Sequence, residues 1–436
     1  MQTHRDRPAH GVTAATLTGA ILLAILHGTA FAQTQPATGQ NAPAAVSSQS
    51  NALLPEPGFL ERAVTSSQRT LHLTAGESSE VKNGFYPELS NMPTGSGWIS
   101  LGPGYRRWLA NDRVLIDGSA AISWRAYKMA QARVELPRLA HSRVVAGSQV
   151  RWQDLTQMTF FGEGADSTES TRSEYRLKST NVVGYATVRP TQWLSIGSRI
   201  GWLSSPSVLP PAGTFKRGNP DVRDVFPTDI VYTTPEQPSF VHGDLSITAD
   251  TRDHRSHPTN GGLYRAAWGS YADRNGGAFS FRRSEVEGAQ FVPVAGARVV
   301  FALHGWLVAS GTDANGVVPF YLMPSLGGNN TIRAYSDFRF HDRNMLVVNA
   351  EARVAVYRHL DAALFVDAGN VASRVGDLNL DKRAYGVGLR LHTEQSTFTR
   401  LDVAHGDEGW RFVFRLSEPL HLSRLSRRMA ALPFVP

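Results

Sequence analysis

The chain has no cysteine. That excludes a disulfide framework, a thiolate metal site and a lipid-modified N-terminal cysteine. CxxC, HExxH, GxSxG and phosphate-loop signatures are also missing, so the common redox, zinc-protease, serine-hydrolase and nucleotide chemistries have no foothold. Beyond the N-terminus no apolar run approaches the roughly 18 to 20 residues that a membrane helix needs, and the mean hydropathy is −0.24. A helical membrane protein is thereby excluded. A transmembrane barrel is not, because its strands alternate lipid-facing apolar residues with lumen-facing polar ones and look soluble on average. Excess charge of one sign is small, with 44 Lys and Arg against 37 Asp and Glu. The arginines are dispersed rather than clustered among aromatics, so nucleic acid is not expected as a partner.

The N-terminus reads as an address. Arg5 and Arg7 precede an apolar stretch from Ala14 to Leu26, and Ala30-Phe31-Ala32 is a small-x-small cleavage site. Residues 1–32 are expected to be a signal peptide. Residues 33–95 are expected to be a disordered linker and short N-terminal segment, since 33–57 are rich in Gln, Ala, Ser and Pro with almost no charge. Phe59, Leu60, Ala63 and Val64 repeat at helical spacing and suggest a short helix over 59–68.

From about Trp98 onward, period-two alternation persists. Val114, Ile116, Ala120, Ile122 and Trp124 share one face opposite Asp117, Ser119, Ser123 and Arg125. Leu346, Val348, Ala350, Ala352, Val354 and Val356 oppose Asn349, Glu351 and Arg353, and Trp410, Phe412, Phe414 and Leu416 oppose Arg411, Arg415 and Ser417. The pattern predicts an all-β fold, a transmembrane antiparallel β-barrel of about 16 strands over 96–417. The first strand is read at 97–109, the fourth and fifth at 141–153 and 155–161, and the last at 409–416, with a tail over 418–436. The longest connections, Ser204 to Pro238 and Gly311 to Arg343, follow odd-numbered strands, as do Phe161 to Arg172 and Gly369 to Lys382. Turns after even strands are mostly tight. Long loops on one rim and short turns on the other are the build of bacterial outer-membrane barrels, with the long loops outside. Tryptophans at 98, 108, 193, 202, 268, 306 and 410 fall near strand ends, as an interfacial belt requires.

Four motifs occur in order over about 160 residues: Asp250-Thr251-Arg252-Asp253 with Pro258 and Gly261, then Gly327-Gly328 through Ile332-Arg333-Ala334-Tyr335, then Glu351-Ala352-Arg353, then Phe365-Val366-Asp367-Ala368-Gly369. This set resembles the barrel of the BamA/TamA-type outer-membrane assembly superfamily, also called bacterial surface antigen. The resemblance implies a long loop between the eleventh and twelfth strands that folds into the lumen, where Arg333 meets Asp367 and also Glu351. It implies a role in inserting proteins into the outer membrane or translocating them across it. Two departures qualify it. Ala334 stands where the family has glycine, which predicts a differently seated loop tip. The stretch before strand one is too short for a complete periplasmic POTRA domain, so the chain is expected to lack POTRA domains.

Other chemistry is not expected. His254 and His257 are spaced H-x-x-H, but in a turn rich in Asp and Arg they read as solvated rather than metal-binding. His242 and Asp244 recur on a lumen face and would be candidates for a Ser-His-acid lipase set only if a serine joined them. No catalytic residue, cofactor or metal is assigned. The expected partners are outer-membrane lipid and lipopolysaccharide, with a protein substrate or a separate periplasmic chain if the assembly role holds. A stand-alone channel or structural barrel is the alternative.

Overall fold

The computed structural model describes residues 53–62, 83–89, 92, 100–213, 218–234, 237–294, 298–393 and 397–415. The expectations for the signal peptide, most of the linker, POTRA content and the 418–436 tail lie outside these. Eighteen strands occur: β1 Gly84–Leu89, β2 Ser100–Leu109, β3 Val114–Ser123, β4 Lys128–Leu139, β5 Val144–Phe160, β6 Ser173–Val188, β7 Leu194–Leu209, β8 Phe240–Asp250, β9 Gly261–Asp273, β10 Phe281–Val294, β11 Val299–Thr312, β12 Ser325–Leu326, β13 Phe340–His341, β14 Asn344–Tyr357, β15 Leu360–Ala372, β16 Lys382–His392, β17 Thr397–Gly406 and β18 Gly409–Arg415. Sixteen of them form one antiparallel meander in chain order, and β12 and β13 make a separate two-stranded ribbon inside the connection from β11 to β14.

Burial is inverted relative to a soluble protein. Trp124, Ile200, Leu245, Leu303, Leu364, Phe412 and Phe414 are all more than half exposed, whereas Asp117, Asn349, Glu351, Asp367, Arg390 and Asp402 are nearly inaccessible. A sandwich in water would do the opposite. Apolar outward and charged inward is the arrangement that a hydrocarbon surround and a polar lumen select.

Sixteen sheet strands match the expected count through two offsetting differences. The sequence reading missed β1, because the six residues Gly84-Phe85-Tyr86-Pro87-Glu88-Leu89 hold too few periods to register and include two residues that weaken strands. Their strand state is imposed by pairing with Leu101 to Arg106. The barrel sheet thus begins at Gly84, within the segment expected to be a linker. The reading also split β5 in two. That strand is continuous through residue 160 but loses alternation after Trp152, where every residue is buried and the register shifts between Leu155 and Met158. Its far end rises out of the lipid-facing band into an apolar cap of Phe160, Tyr175, Phe226, Phe320 and Tyr321. One belt assignment also fails: Trp306 is buried inside the barrel and donates to Glu285, while Trp193, Trp202, Trp268 and Trp410 are half or more exposed.

Of the expected helix at 59–68, the described part is helical over 58–62, with Leu60 buried, and 63–68 lie outside the described residues. Glu56 just ahead of it bonds His359 Nδ1 at 2.9 Å, in the turn between β14 and β15. This segment sits on the short-turn rim. Among the described residues no ladder joins β1 to β18; the last strand pairs only with β17.

The loop asymmetry survives, with 161–172, 210–239 and 313–343 all on one rim. A cysteine placed at exposed Ser170, or at half-buried Asn219, is expected to react with an impermeant maleimide on intact cells. Reaction only after the outer membrane is permeabilised would reverse the topology.

Candidate functional site: a charged lock inside the barrel

The lumen face of β14 to β17 carries acidic and basic residues that the ladder brings side by side. Asn349 pairs across with Asp367, Glu351 with Phe365, and Gly388 with Asp402. Arg390 lies directly opposite Arg400, a like-charge pairing that by itself is unfavourable. Asp402 offsets it, receiving Arg390 Nη1 through its Oδ1 and lying 3.3 Å from Arg400 Nε through its Oδ2.

Into this surface the β11–β14 connection inserts Arg333. Its Nε donates to Asp367 Oδ2 and its Nη2 to Asp367 Oδ1, each at 2.8 Å, and its Nη1 reaches Glu351 Oε2, also at 2.8 Å. The backbone N–H of Arg333 donates to the same Asp367 at 3.1 Å, and Asn349 Nδ2 supplies a further bond to it. Arg390 Nη2 shares Glu351 Oε2 at 2.8 Å. The result is a lattice of three arginines, 333, 390 and 400, and three carboxylates, Glu351, Asp367 and Asp402, each side chain no more than 3% exposed. Charges at such burial are tolerated only when paired, and the planar fork of arginine meets Asp367 and Glu351 in two-point geometry, while Arg400 Nε and Asp402 Oδ2 face each other without a hydrogen bond.

Phe365 completes the seat. The Arg333 guanidinium carbon lies 3.4 Å from its ring centroid, a cation–π contact. Room for that ring comes from Gly386, where a Cβ would fall 2.5 Å from the Phe365 ring and 2.1 Å from the Val403 carbonyl. Gly388 makes space for Asp402 in the same way, its missing Cβ lying 2.1 Å from Oδ1.

The expected loop lock is therefore present with its three named residues. Arg390, Arg400 and Asp402, which the sequence reading did not name, double its size. Their signal was the inward alternation of β16 and β17, but their meeting depends on register.

The loop motif residues have distinct jobs. Gly327 and Gly328 have φ of +113° and +87°, and a Cβ at either would run into Ser336 O or Asp337 Oδ1. Ile332 is fully buried, and buried Tyr335 donates its hydroxyl to Asp407 at 2.9 Å. Ala334 does not adopt a positive φ, so its own backbone requires no glycine, and its methyl packs where a Cβ on Gly406 would come within 2.9 Å. Gly369 admits Leu326 of the ribbon, whose Cδ1 lies 3.1 Å from the position of its absent Cβ.

The loop also grips the last hairpin. Besides Tyr335 to Asp407, Arg339 Nε bonds Glu408 at 2.6 Å, Arg411 Nη2 reaches Asp337 at 3.2 Å, and Arg400 Nη2 donates to the Asn329 carbonyl at 2.9 Å. The plug is thus tied to β17 and β18, the far edge of the sheet.

The turn motif lies at the opposite rim. Arg252 makes a two-point pair with Asp250. Burial would raise the Asp253 carboxyl, but bonds from the Thr259 side chain and from backbone amides hold it below its usual range. Gly261 takes φ +86° at a point where a Cβ would fall 2.1 Å from the Thr251 carbonyl oxygen, and the Pro258 carbonyl accepts from Arg353 Nη2, so the turn motif docks on the Glu351-Ala352-Arg353 strand. The H-x-x-H pair does not assemble: His254 is exposed and His257 buried. Nor do His242 and Asp244 join a serine; His242 Nε2 contacts Asn181 Oδ1 and Asp244 pairs with Arg199.

Comparison with known proteins agrees with this geometry. The Omp85 superfamily domain matches residues 233–418. No curated protein matches. Among solved structures the chain is similar to BamA from Haemophilus ducreyi lacking POTRA domains 1–3, at 12% identity and a TM-score of 0.57, covering 84% of this chain and 83% of that one. It is also similar to CdiB from Escherichia coli, at 11% identity and a TM-score of 0.50, covering 77% of this chain and 62% of that one. At these identities the likeness establishes the fold.

Proposed function

Because residues 233–418 belong to the Omp85 superfamily and the chain forms an outer-membrane barrel of that type, we propose that it inserts proteins into the outer membrane or moves them across it. The observation that carries this reading is the coupling of plug to sheet edge. One loop enters the lumen, is held there by Arg333, and grips the hairpin that ends in β18. A loop so placed links what enters the lumen to the state of the first and last strands.

Those strands suit opening. β1 has six residues and β18 seven, where β2 has ten, and Pro87 faces Pro103 across the one ladder that β1 makes among the described residues. Proline contributes no donor, and free edges recruit other strands. A loop bonded to the lumen wall disfavours a steadily conducting pore, the alternative reading.

A disulfide engineered between Gly84–Leu89 and Gly409–Arg415 is expected to stop the activity reversibly. Cells carrying it would lose specific proteins from the outer membrane or the medium and regain them on reduction. An unchanged set of proteins, together with steady ion conductance of the purified chain in planar bilayers, would replace this proposal with the channel. The cleaved signal peptide and any periplasmic partner belong to the same proposal; N-terminal sequencing of the mature protein checks the expected start at Gln33.

A further inference from the structure

At the short-turn rim, three ligand-bearing side chains from distant parts of the sequence converge. They are His257 in the β8–β9 turn, Asp361 at the start of β15 and His392 at the end of β16. All three are buried, and their candidate ligand atoms lie within 4.8 Å of one another. His392 Nε2 is 3.1 Å from Asp361 Oδ1 and His257 Nε2 is 3.7 Å from Asp361 Oδ2. The rings stack at 3.8 Å between centroids.

The partner of the outer ring nitrogen fixes one proton, that of His392. His392 Nδ1 is 2.9 Å from the Thr393 carbonyl, which only accepts, so Nδ1 carries the hydrogen. A neutral His392 then points a bare Nε2 lone pair at a carboxylate oxygen, a repulsive contact that either a proton on Nε2 or a bound metal cation relieves. His257 faces the other oxygen of the same carboxylate through Nε2, and its Nδ1 lies 2.9 Å from Thr397 Oγ1, a hydroxyl that can donate to a bare nitrogen or accept from an N–H. Protons on both rings would stack two imidazolium ions face to face, beside Arg353, which is bonded to Pro258 in the same turn. A single divalent ion relieves both contacts and leaves both rings neutral.

We propose that His257, Asp361 and His392 form a binding site for a first-row transition-metal dication of the zinc class. Two imidazoles and one carboxylate suit such ions better than calcium or magnesium, and the hydrogen bond from Nδ1–H to a carbonyl is the usual outer support of a metal-bound histidine. Ligands at about 2.0 to 2.2 Å from a tetrahedral ion stand about 3.4 Å apart, close to the present nitrogen–oxygen separations. The rings turn out of parallel as their lone pairs aim at the ion, and water takes the fourth position. The ion would staple the β8–β9 turn to β15 and β16, reinforcing the backbone bond from Thr397 N to Ser256 O.

The full chain, folded in detergent and stripped with EDTA, is titrated with zinc chloride. One ion per chain is expected, and cobalt chloride in its place should give the visible absorption of a four-coordinate site. His257→Asn/His392→Asn should lose at least about a hundredfold in affinity, and His254→Asn should lose nothing, with folding checked by heat-dependent electrophoretic mobility. No binding by the wild type, or equal binding by the folded double variant, overturns the proposal. Should the double variant not fold, anomalous diffraction at the zinc edge decides: a peak among the three side chains supports the site, and a peak elsewhere or none removes it.

Discussion

Arg333→Ala is expected to lower the stability of the folded barrel by about 3 to 5 kcal/mol, because it leaves Asp367 and Glu351 buried without their principal cation. The strand ladder does not depend on this side chain, so the variant should still insert. The loop should not stay seated, since Arg333 is where it bonds the barrel wall through Nε, both Nη groups and its own backbone amide. Denaturant unfolding in detergent measures the stability. Planar-bilayer conductance and protease cleavage within 313–343 measure the loop, and both should rise. Arg333→Lys should restore little, because a single ammonium cannot span Asp367 in two-point fashion and reach Glu351 as well. Replacing both partners, as in Arg333→Met/Asp367→Leu, should recover much of the stability without recovering the loop's anchor. A folded Arg333→Ala barrel with wild-type stability and closed conductance would show that the loop is held by its other contacts, among them Tyr335 to Asp407 and Arg339 to Glu408.

Asp402→Ala should be of similar size and tests the part of the lattice that links β16 to β17. Three carboxylates balance three arginines, so its loss leaves an uncompensated positive charge in the lumen. Arg390 keeps Glu351, but Arg400 keeps only the Asn329 carbonyl. The deficit therefore falls on Arg400, at about 3 to 5 kcal/mol for an unpaired buried charge. Asp402→Ala/Arg400→Met should regain most of it in the same unfolding experiment. Failure of the second substitution to help would mean that Arg390, not Arg400, bears the cost.

The candidate lock was legible to different depths. Arg333, Asp367 and Glu351 stood in motifs whose resemblance to those of a known family implied their meeting, and the inward face of Asp367 followed from Leu364 and Val366 on the other side. Arg390, Arg400 and Asp402 belong to strands whose alternation was read but whose relative register was not. A shift of one residue between β16 and β17 would turn Asp402 toward lipid. Glycines 386 and 388 gave no signal of their own, because what they admit comes from neighbouring strands.

By itself, then, the sequence determined the all-β class, the inverted polarity of the faces, the odd–even alternation of loop lengths and the motif arginine with its acids. All of these are local or periodic properties of a chain in lipid. Tertiary structure alone decided that β1 exists, since six residues with Gly84 and Pro87 become a strand only by pairing with β2. It decided that β5 is one strand, since its loss of alternation reflects a buried cap built from other loops. It also placed His257 against His392 and Asp361 rather than beside His254, because a turn's side chains find partners across the lumen that no spacing along the chain records.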